Sequence, residues 1–262
     1  MPNFTSPAIV LRRVDFGDYD LILTFFTLKK GKISAIAKSA KKSTRRFGGI
    51  LELFSVLEIV CSSRTDRDLM ILQEADLKNS FSGIRVNLNK TAYASYFAEM
   101  VNEWTESGAK QEDLYLLLCH VLEQIDAGRI PEEISGILFL IRFASIAGIR
   151  PNLLRCGICR RETDKIEEER VTFDFSRSGI ICQKCSGKSV SRLSLSKGTI
   201  KQLLWVESGG LKKAGKIKFT PQAIKEGLDL LETFTAYHLG KEMQSLKFLK
   251  QIRKKDGPSQ YL

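Results

Sequence analysis

The chain of 262 residues is 43% hydrophobic and 27% charged, proportions that exclude a disordered tail protein and a fibre. Its most apolar stretch, residues 134–149, contains Arg142 and is shorter than the roughly 20 residues that cross a bilayer, so we expect no membrane span. The formal net charge is +11, which favours a polyanionic partner, and nucleic acid is the commonest one.

The positive charge is uneven along the chain. The net charge is +4 over residues 1–80, −3 over residues 81–150, +2 over residues 151–190 and +8 over residues 191–262. Near the N-terminus a pair of arginines follows the short apolar run, whereas a secretory signal has the reverse order. We therefore expect a cytoplasmic protein with basic ends around a mildly acidic middle.

Residues 1–80 predict a small β-barrel. Turn signals at Gly17-Asp18 and Lys30-Gly31 separate segments that are rich in β-formers. The predicted strands cover residues 8–14, 20–27, 32–40, 50–61 and 69–73. Five strands suit a closed barrel, and periodicity alone leaves an OB-fold and an SH3-like barrel as alternatives.

Residues 81–152 change to helical periodicity. A helix that begins near Pro131 and ends before Gly148 is apolar almost all round, which predicts a central, buried position. Further helices are predicted over residues 196–206, 221–239 and 241–252. The expected fold is α+β, with a barrel domain (1–80), a helical domain in two parts (81–152 and 191–262) and an inserted cysteine module (153–190).

The cysteine module predicts a zinc site. Two Cys-x-x-Cys pairs, separated by 22 residues, supply Cys156, Cys159, Cys182 and Cys185. Both thiolates of such a pair can bind one ion, and two pairs complete the tetrahedral four-sulfur set that suits Zn²⁺. Alternating residues 171–175 and a Ser178-Gly179 turn predict a hairpin that carries the second pair, as in a zinc ribbon.

Because thiolates fill all four positions, no position remains for a substrate water, and we expect a structural rather than catalytic ion. A thioredoxin-like redox pair, two disulfides and an iron–sulfur cluster are the competing interpretations. The two remaining cysteines, Cys61 and Cys119, lie in apolar segments and are predicted to be core residues.

Residues 29–46 contain eight basic residues and no acid. Like charges at this density repel one another unless an anion neutralises them, so they predict contact with nucleic-acid phosphates, although a solvated charge run is the alternative. The residues are Lys29, Lys30, Lys32, Lys38, Lys41, Lys42, Arg45 and Arg46. Residues 208–218 form a Gly- and Lys-rich connection between predicted helices. Its lysines are candidate contacts for a second nucleic-acid strand, and they are Lys212, Lys213, Lys216 and Lys218.

Phe25, Phe26 and Phe47 are candidates for base stacking. Phe25 and Phe26 face opposite sides of one strand, so one belongs to the core and the other either stacks on a base or lies under a helix. The two histidines, His120 and His238, lie in helical patterns, and no nucleophile–base set or nucleotide-binding fingerprint is recognisable. We therefore predict a binding protein and no enzyme.

Several segments, in this order and spacing, resemble the bacterial recombination mediator RecO family. They are residues 8–11, 17–20, 31–32, 37–42, 96–99, 148–151, the two cysteine pairs and residues 244–249. In the 37–42 loop the family usually has a glycine where this chain has Ser39.

The resemblance implies an N-terminal OB-fold, a helical domain and an inserted four-cysteine zinc module. It also implies binding to single- and double-stranded DNA, annealing of complementary strands, and partnership with RecR and the SSB C-terminal tail so that RecA can load. The expected location is the cytoplasm, in association with the nucleoid.

Three alternatives remain at this point. An RNA-binding zinc-ribbon protein of the translation machinery would prefer RNA over matched DNA. A nuclease with a dispersed site would cleave DNA in the presence of Mg²⁺. A scaffold would use the basic surface to bind an acidic protein tail.

Overall fold

The N-terminal segment, with its alternating apolar residues, forms a closed five-stranded barrel. The computed structural model describes residues 3–62, 69–187, 192–211 and 217–255. The strands are β1 (Asn3–Phe16), β2 (Asp20–Thr27), β3 (Gly31–Ala37), β4 (Val56–Ser62) and β5 (Met70–Asn79). Their order around the barrel is β1-β2-β3-β5-β4, with β3 and β5 parallel and the other pairs antiparallel. This arrangement confirms the predicted five-stranded OB-fold barrel.

Strand β1 closes the barrel because it pairs on both sides. Its first half pairs with β4, from Asn3 to Ile9, and its second half pairs with β2, from Ala8 to Phe16, with a bulge after Val10. Alternate side chains point inwards. The interior contains Leu23, Phe25, Ile33, Leu57, Ile59, Cys61 and their buried neighbours.

The predicted strand over residues 50–61 is wrong in its first half, because β4 begins only at Val56. Phe54 adopts a left-handed backbone (φ +71°), its N–H donates to Val10 O, and Val10 N–H donates to Ser55 O. Leu51 and Phe54 are buried. Residues before Val56 therefore bury apolar side chains as a loop that caps the barrel, and an apolar run of this kind imitates a strand.

The chain divides into two compact units: residues 1–127 with 244–249, and residues 128–243 with 250–262. In the first unit the barrel is joined by α1 (Ser82–Arg85), α2 (Leu88–Trp104) and α3 (Glu112–Ala127). Gly31 has φ +63°, and a Cβ there would lie 1.8 Å from Ala109 O, so this close approach requires glycine. The four-segment domain division stays a prediction.

The second unit contains α4 (Glu132–Ile146), α5 (Lys197–Ser208) and α6 (Pro221–Leu239), with a sheet of β6 (Arg170–Asp174), β7 (Gly179–Ile181) and β8 (Arg192–Ser196) in the order β7-β6-β8. Helix α7 (Gln244–Lys255) belongs to both units. As predicted, α4 is buried almost all round and packs on α5 and α6. Among the described helices, none is long and apolar enough to span a membrane.

Candidate nucleic-acid interface and metal centre

The first cysteine pair lies in a tight turn of the second unit. Arg155 and Glu162 form a bridge that closes this turn, and Cys156 N–H donates to Arg161 O at 2.8 Å. Gly157 N–H donates to Ile180 O at 2.8 Å, which joins the turn to β7. The backbone therefore holds the Cys156 and Cys159 side chains near the end of the β6–β7 hairpin.

The second pair directly follows that hairpin, as the sequence predicts. Ser178 takes the left-handed turn conformation (φ +51°), and Asp174 Oδ1 accepts hydrogen bonds from the backbone of Ser176 and Arg177. Strand β7 then leads into Cys182, and a single 3₁₀ turn brings in Cys185. The hairpin turn and the 3₁₀ turn together place Cys182 and Cys185 beside Cys156 and Cys159.

The four sulfurs are close enough for one ion. Cys156, Cys159, Cys182 and Cys185 have all four Sγ atoms within 4.8 Å of one another, and Cys159 Sγ lies 3.7 Å from Cys182 Sγ. A tetrahedral ion with Zn–S bonds of ~2.3 Å requires sulfur–sulfur distances of ~3.8 Å. The four-cysteine cluster therefore fits a metal ion.

The electrostatics of the four thiols also suit a cation. Burial alone would raise the pKa of Cys156, but backbone N–H groups of Cys182, Ile158 and Cys159 lower it to about 6. Neighbouring thiols, Cys182 first and then Cys159, raise the pKa of Cys185 to about 12. One thiolate therefore forms easily and opposes ionisation of the next, so four thiolates together require a neutralising cation.

Seven of the eight basic residues in segment 29–46 separate into two groups. Lys29 and Lys30 lie at the β2–β3 turn, where Lys29 Nζ donates to Thr5 O at 2.8 Å and Lys30 Nζ lies 5.0 Å from the Phe4 ring centroid. Residues 38–46 lie at the opposite end of β3, whose seven residues span about 20 Å. The structure does not bring these groups together.

The segment Lys38–Arg46, which we call the basic loop, is fastened to the β1–β2 hairpin. Lys41 N–H donates to Tyr19 O at 3.0 Å, and Lys41 Nζ lies 2.9 Å from Asp15 Oδ2. Ser39 N–H donates to Asp20 Oδ1 at 2.7 Å, and Ser39 itself is left-handed (φ +55°). These contacts order the loop while the side chains of Lys38, Lys42, Arg45 and Arg46 stay exposed.

Comparisons with known proteins agree with this architecture. The family model described as "Recombination protein O N terminal" matches residues 1–81, and "Recombination protein O C terminal" matches residues 85–247. A "DNA repair protein RecO" from Desulfatibacillum aliphaticivorans is 44% identical over 256 residues, 97% of this chain and 99% of the relative. The chain belongs to the RecO family. Two further RecO relatives, from Desulfosudis oleivorans (43% identical) and Geobacter metallireducens (34%), cover 97% and 96% of the chain and 99% of their own lengths. RecO membership gives the chain a role in DNA repair and recombination.

Lys32 differs from the other basic residues expected at the RecO surface. Its Nζ donates to Asn102 O at 2.5 Å, and burial lowers the pKa of its ammonium group. Gly108 N–H donates to Lys32 O at 2.9 Å. This lysine therefore joins the barrel to the end of α2 and the loop after it instead of facing solvent.

Of the C-terminal lysines, Lys212, Lys213 and Lys216 lie outside the described residues. Lys218 is exposed just before α6. Their contact with DNA stays a prediction.

The three phenylalanines considered for base stacking are all buried, which excludes them as stacking side chains and agrees with the alternative that the outward ring of β2 lies under a helix. Phe25 and Phe47 belong to the barrel interior. Phe26 lies on the outer face under α3, where its ring centroid is 6.0 Å from that of Tyr115. Among the described barrel residues, the exposed aromatic side chains are instead Phe16 and Tyr19, which sequence reasoning did not consider for base stacking.

The structure also pairs a serine with a histidine that sequence reasoning did not connect. Ser178 Oγ lies 3.1 Å from His238 Nε2, and Phe234 packs edge-on against the imidazole at 4.5 Å. Burial lowers the pKa of His238, which favours its neutral form. In the described chain no carboxylate hydrogen-bonds to this imidazole. The pair joins the β6–β7 turn to α6 and supports the hairpin that carries the metal ligands.

Proposed function

We propose that this RecO family member binds single- and double-stranded DNA through the basic loop, anneals complementary strands and acts by binding rather than by catalysis. With RecR, and by contact with the SSB C-terminal tail, it helps RecA to load on SSB-coated DNA in the cytoplasm, at the nucleoid. The partners come from the family resemblance, and the DNA surface comes from the residues described above.

The ordered but exposed basic loop carries the proposal. Its backbone is fixed to the β1–β2 hairpin, while Lys38, Lys42 and Arg45 face solvent. A loop whose backbone is already ordered loses little backbone entropy when a phosphate chain binds. The loop also follows β3 of an OB-fold barrel and is hydrogen-bonded to the β1–β2 hairpin. Such barrels bind oligonucleotides on the face of strands 2 and 3 and at the loops between strands 1 and 2 and between strands 4 and 5.

Phosphate contacts explain why such a surface suits annealing. Lysine and arginine contacts to phosphate give affinity without sequence readout, and bound strands can slide. Two backbones neutralised on one protein approach each other more easily while their bases remain free to pair. Lys29 and Lys30, and the lysines at 212, 213, 216 and 218, are proposed as contacts for additional DNA.

We infer that Zn²⁺ is the ion of the four-cysteine cluster and that it is structural. Cys156, Cys159, Cys182 and Cys185 supply a complete tetrahedral thiolate set, which favours Zn²⁺ over metals that prefer oxygen ligands. When bound, the ion would cross-link the turn that carries Cys156 and Cys159 to the β6–β7 hairpin.

The test is annealing of complementary oligonucleotides, bare and SSB-coated, across a salt series. The triple variant Lys38→Ala/Lys42→Ala/Arg45→Ala removes three exposed charges and keeps Lys41, which anchors the loop. The matched control Lys165→Ala/Lys201→Ala/Lys225→Ala removes three exposed charges from the second unit.

We expect wild-type protein and the control to accelerate annealing of both substrates. The loop variant should bind single-stranded DNA weakly, with a slope of log affinity against log salt that is smaller by about 2, at ~0.7 per lost contact. A loop variant that matches the control would overturn the proposed surface. Preference for RNA over matched DNA, or cleavage of DNA with Mg²⁺, would overturn the proposed function.

A further inference from the structure

Aromatic side chains that stack on bases must be exposed, and this condition selects two residues in the barrel. The described residues 3–81 contain seven phenylalanines and one tyrosine. Phe25, Phe26, Phe47, Phe54 and Phe81 are buried, and Phe4 is half-buried. Phe16 and Tyr19 remain, with exposed fractions of 53% and 45%.

Both residues lie on the β1–β2 hairpin. Phe16 ends β1 opposite Asp20, and the tight turn between them is made possible by Gly17 at φ +57°. Val14 and Phe16, two residues apart, share the outward face of β1. The hairpin therefore carries its rings away from the barrel core.

The basic loop holds cations beside these rings. Lys42 Nζ lies 3.4 Å from the centroid of the Tyr19 ring, a cation–π contact, and Tyr19 remains nearly half exposed with this contact in place. Lys41 N–H donates to Tyr19 O, so the turn and the basic loop are in direct contact. A backbone phosphate bound at Lys42 would bring its base close to the Tyr19 ring.

Charge at the hairpin matches a polyanion. Residues 12–20 and 38–46 contain seven lysines and arginines and three aspartates. Asp15 pairs with Lys41, and Asp20 accepts the Ser39 N–H. Arg13 pairs with Glu52 outside these segments, and the two segments keep a net positive charge, with Lys42 at the Tyr19 ring.

We propose that Phe16 and Tyr19 form a stacking platform for unpaired nucleobases, with the adjacent basic loop binding the phosphates of the same strand. The proposal rests on the proposed DNA-binding function and adds to it a preference for single strands. Bases in a duplex are stacked on one another and cannot cover these rings, so the platform strengthens binding of single-stranded DNA alone.

The experiment measures binding of a single-stranded oligonucleotide containing 2-aminopurine, whose fluorescence falls on stacking, and of a blunt duplex of the same sequence. The variants are Phe16→Ala, Tyr19→Ala and the ring-preserving Phe16→Tyr and Tyr19→Phe. Val14→Ala is the matched control, because it shortens an exposed apolar side chain on the same face of β1. Phe16→Ala is the cleaner variant, since Tyr19→Ala also removes the ring that contacts Lys42.

We expect Phe16→Ala to weaken binding of single-stranded DNA by about 5- to 100-fold and to reduce the 2-aminopurine quenching. Duplex affinity and the salt slope should be unchanged, because no charge is removed. Phe16→Tyr, Tyr19→Phe and Val14→Ala should behave like wild type. The partial exposure of Phe16 and Tyr19 makes unfolding of the variants unexpected, and thermal melting checks this.

Two results separate the stacking platform from the underlying function. If wild-type protein binds DNA with a steep salt slope but Phe16→Ala and Tyr19→Ala bind single strands equally well, the platform is wrong and the DNA-binding function stands. If wild-type protein binds neither single-stranded nor double-stranded DNA, both the stacking platform and the proposed function are wrong. Equal weakening of single-stranded and duplex binding also overturns the platform.

Discussion

At the scale of single residues, Glu226 of α6 shows how one carboxylate joins several elements. It accepts hydrogen bonds from Ser196 N–H at 2.9 Å, Thr199 Oγ1 at 2.6 Å and Gln222 Nε2 at 2.9 Å, and lies 2.8 Å from Arg170 Nη2. Burial alone would raise its pKa, but these donors, Thr199 first, lower it to about 2. The ionised form therefore stabilises the contact between α6 and the strands that precede it.

The lowered pKa of Glu226 predicts an acid-dependent loss of stability. The stabilisation is fully present above the ordinary pKa of 4.5 and is lost as pH falls towards about 2, because the unfolded chain takes up the proton first. Glu226→Gln should lower the free energy of unfolding at pH 7 by about 3.5 kcal/mol at most, at ~1.4 kcal/mol per pKa unit. Thermal unfolding from pH 7 to pH 3 measures this, with exposed Glu167→Gln as the control. A difference from wild type that stays constant over this range would contradict the assignment.

The residue scale also shows where sequence reasoning fails. Alternation correctly places Phe25 and Phe26 on opposite faces of β2, but it carries no information about what covers the outer face. That cover comes from α3, which is distant in sequence. The left-handed backbone of Ser39, where RecO relatives are expected to have glycine, is consistent with the family pattern, because φ above zero costs non-glycine residues roughly 1–2 kcal/mol.

At the scale of elements, the β6–β7 hairpin was predictable because its signals are local. Alternating apolar residues, a Ser-Gly turn and the cysteine spacing all lie within a short segment, and the structure realises each of them. For residues 50–55 the strand prediction is wrong, because burial by a capping loop and burial in a strand leave the same apolar pattern.

The metal centre makes a prediction for this element. Purified protein should contain one zinc per chain, and Cys159→Ser should reduce the metal content close to zero, because a structural site requires all four thiolates. We expect residues 153–187 to become sensitive to proteolysis while the barrel keeps its fold. Elemental analysis and limited proteolysis are the measurements.

Cys119→Ser is the matched control for the zinc prediction. This thiol lies half-buried in α3, outside the four-cysteine cluster, and burial raises its pKa to about 11. The Cys119→Ser protein should therefore keep its full metal content. Iron in place of zinc, or metal loss in the Cys119 variant, would refute the structural zinc site.

At the scale of the whole molecule, the chain passes three times between its two compact units. Residues 244–249, at the start of α7, belong with the barrel unit although residues 128–243 build the other one. Glu99 of α2 holds this segment: its carboxylate accepts from Gln244 N–H at 3.1 Å, from Ser245 N–H at 2.8 Å and from Ser245 Oγ. A negative charge at the first turn of a helix also complements the helix dipole.

We therefore expect Glu99→Ala to destabilise the barrel unit by about 1–2 kcal/mol, the usual cost of losing a helix cap. Hydrogen exchange should increase over residues 244–249 and over the adjacent turns of α2. Glu106→Ala, an exposed glutamate just after α2, serves as the control. Equal exchange in the two variants would show that Glu99 does not hold the segment.

Sequence reasoning predicted neither this return of the chain nor the separation of the basic residues. Periodicity and spacing report on neighbours within a turn or a hairpin, whereas the partners Glu99 and Ser245 lie far apart in sequence. Likewise, the basic residues at 29–30 and those at 38–46 lie at opposite ends of β3, because an extended strand of seven residues separates them.

The return of residues 244–249 has a consequence for synthesis. A ribosome delivers the five barrel strands early, but the segment that Glu99 holds emerges only after nearly all of the second unit has been made. Until then the barrel unit lacks residues 244–249. These residues join it through the long-range contact with Glu99, and contacts between residues far apart in sequence slow folding. An N-terminal fragment ending at residue 127 would lack that turn permanently, so the barrel and its helices are best produced as part of the whole polypeptide.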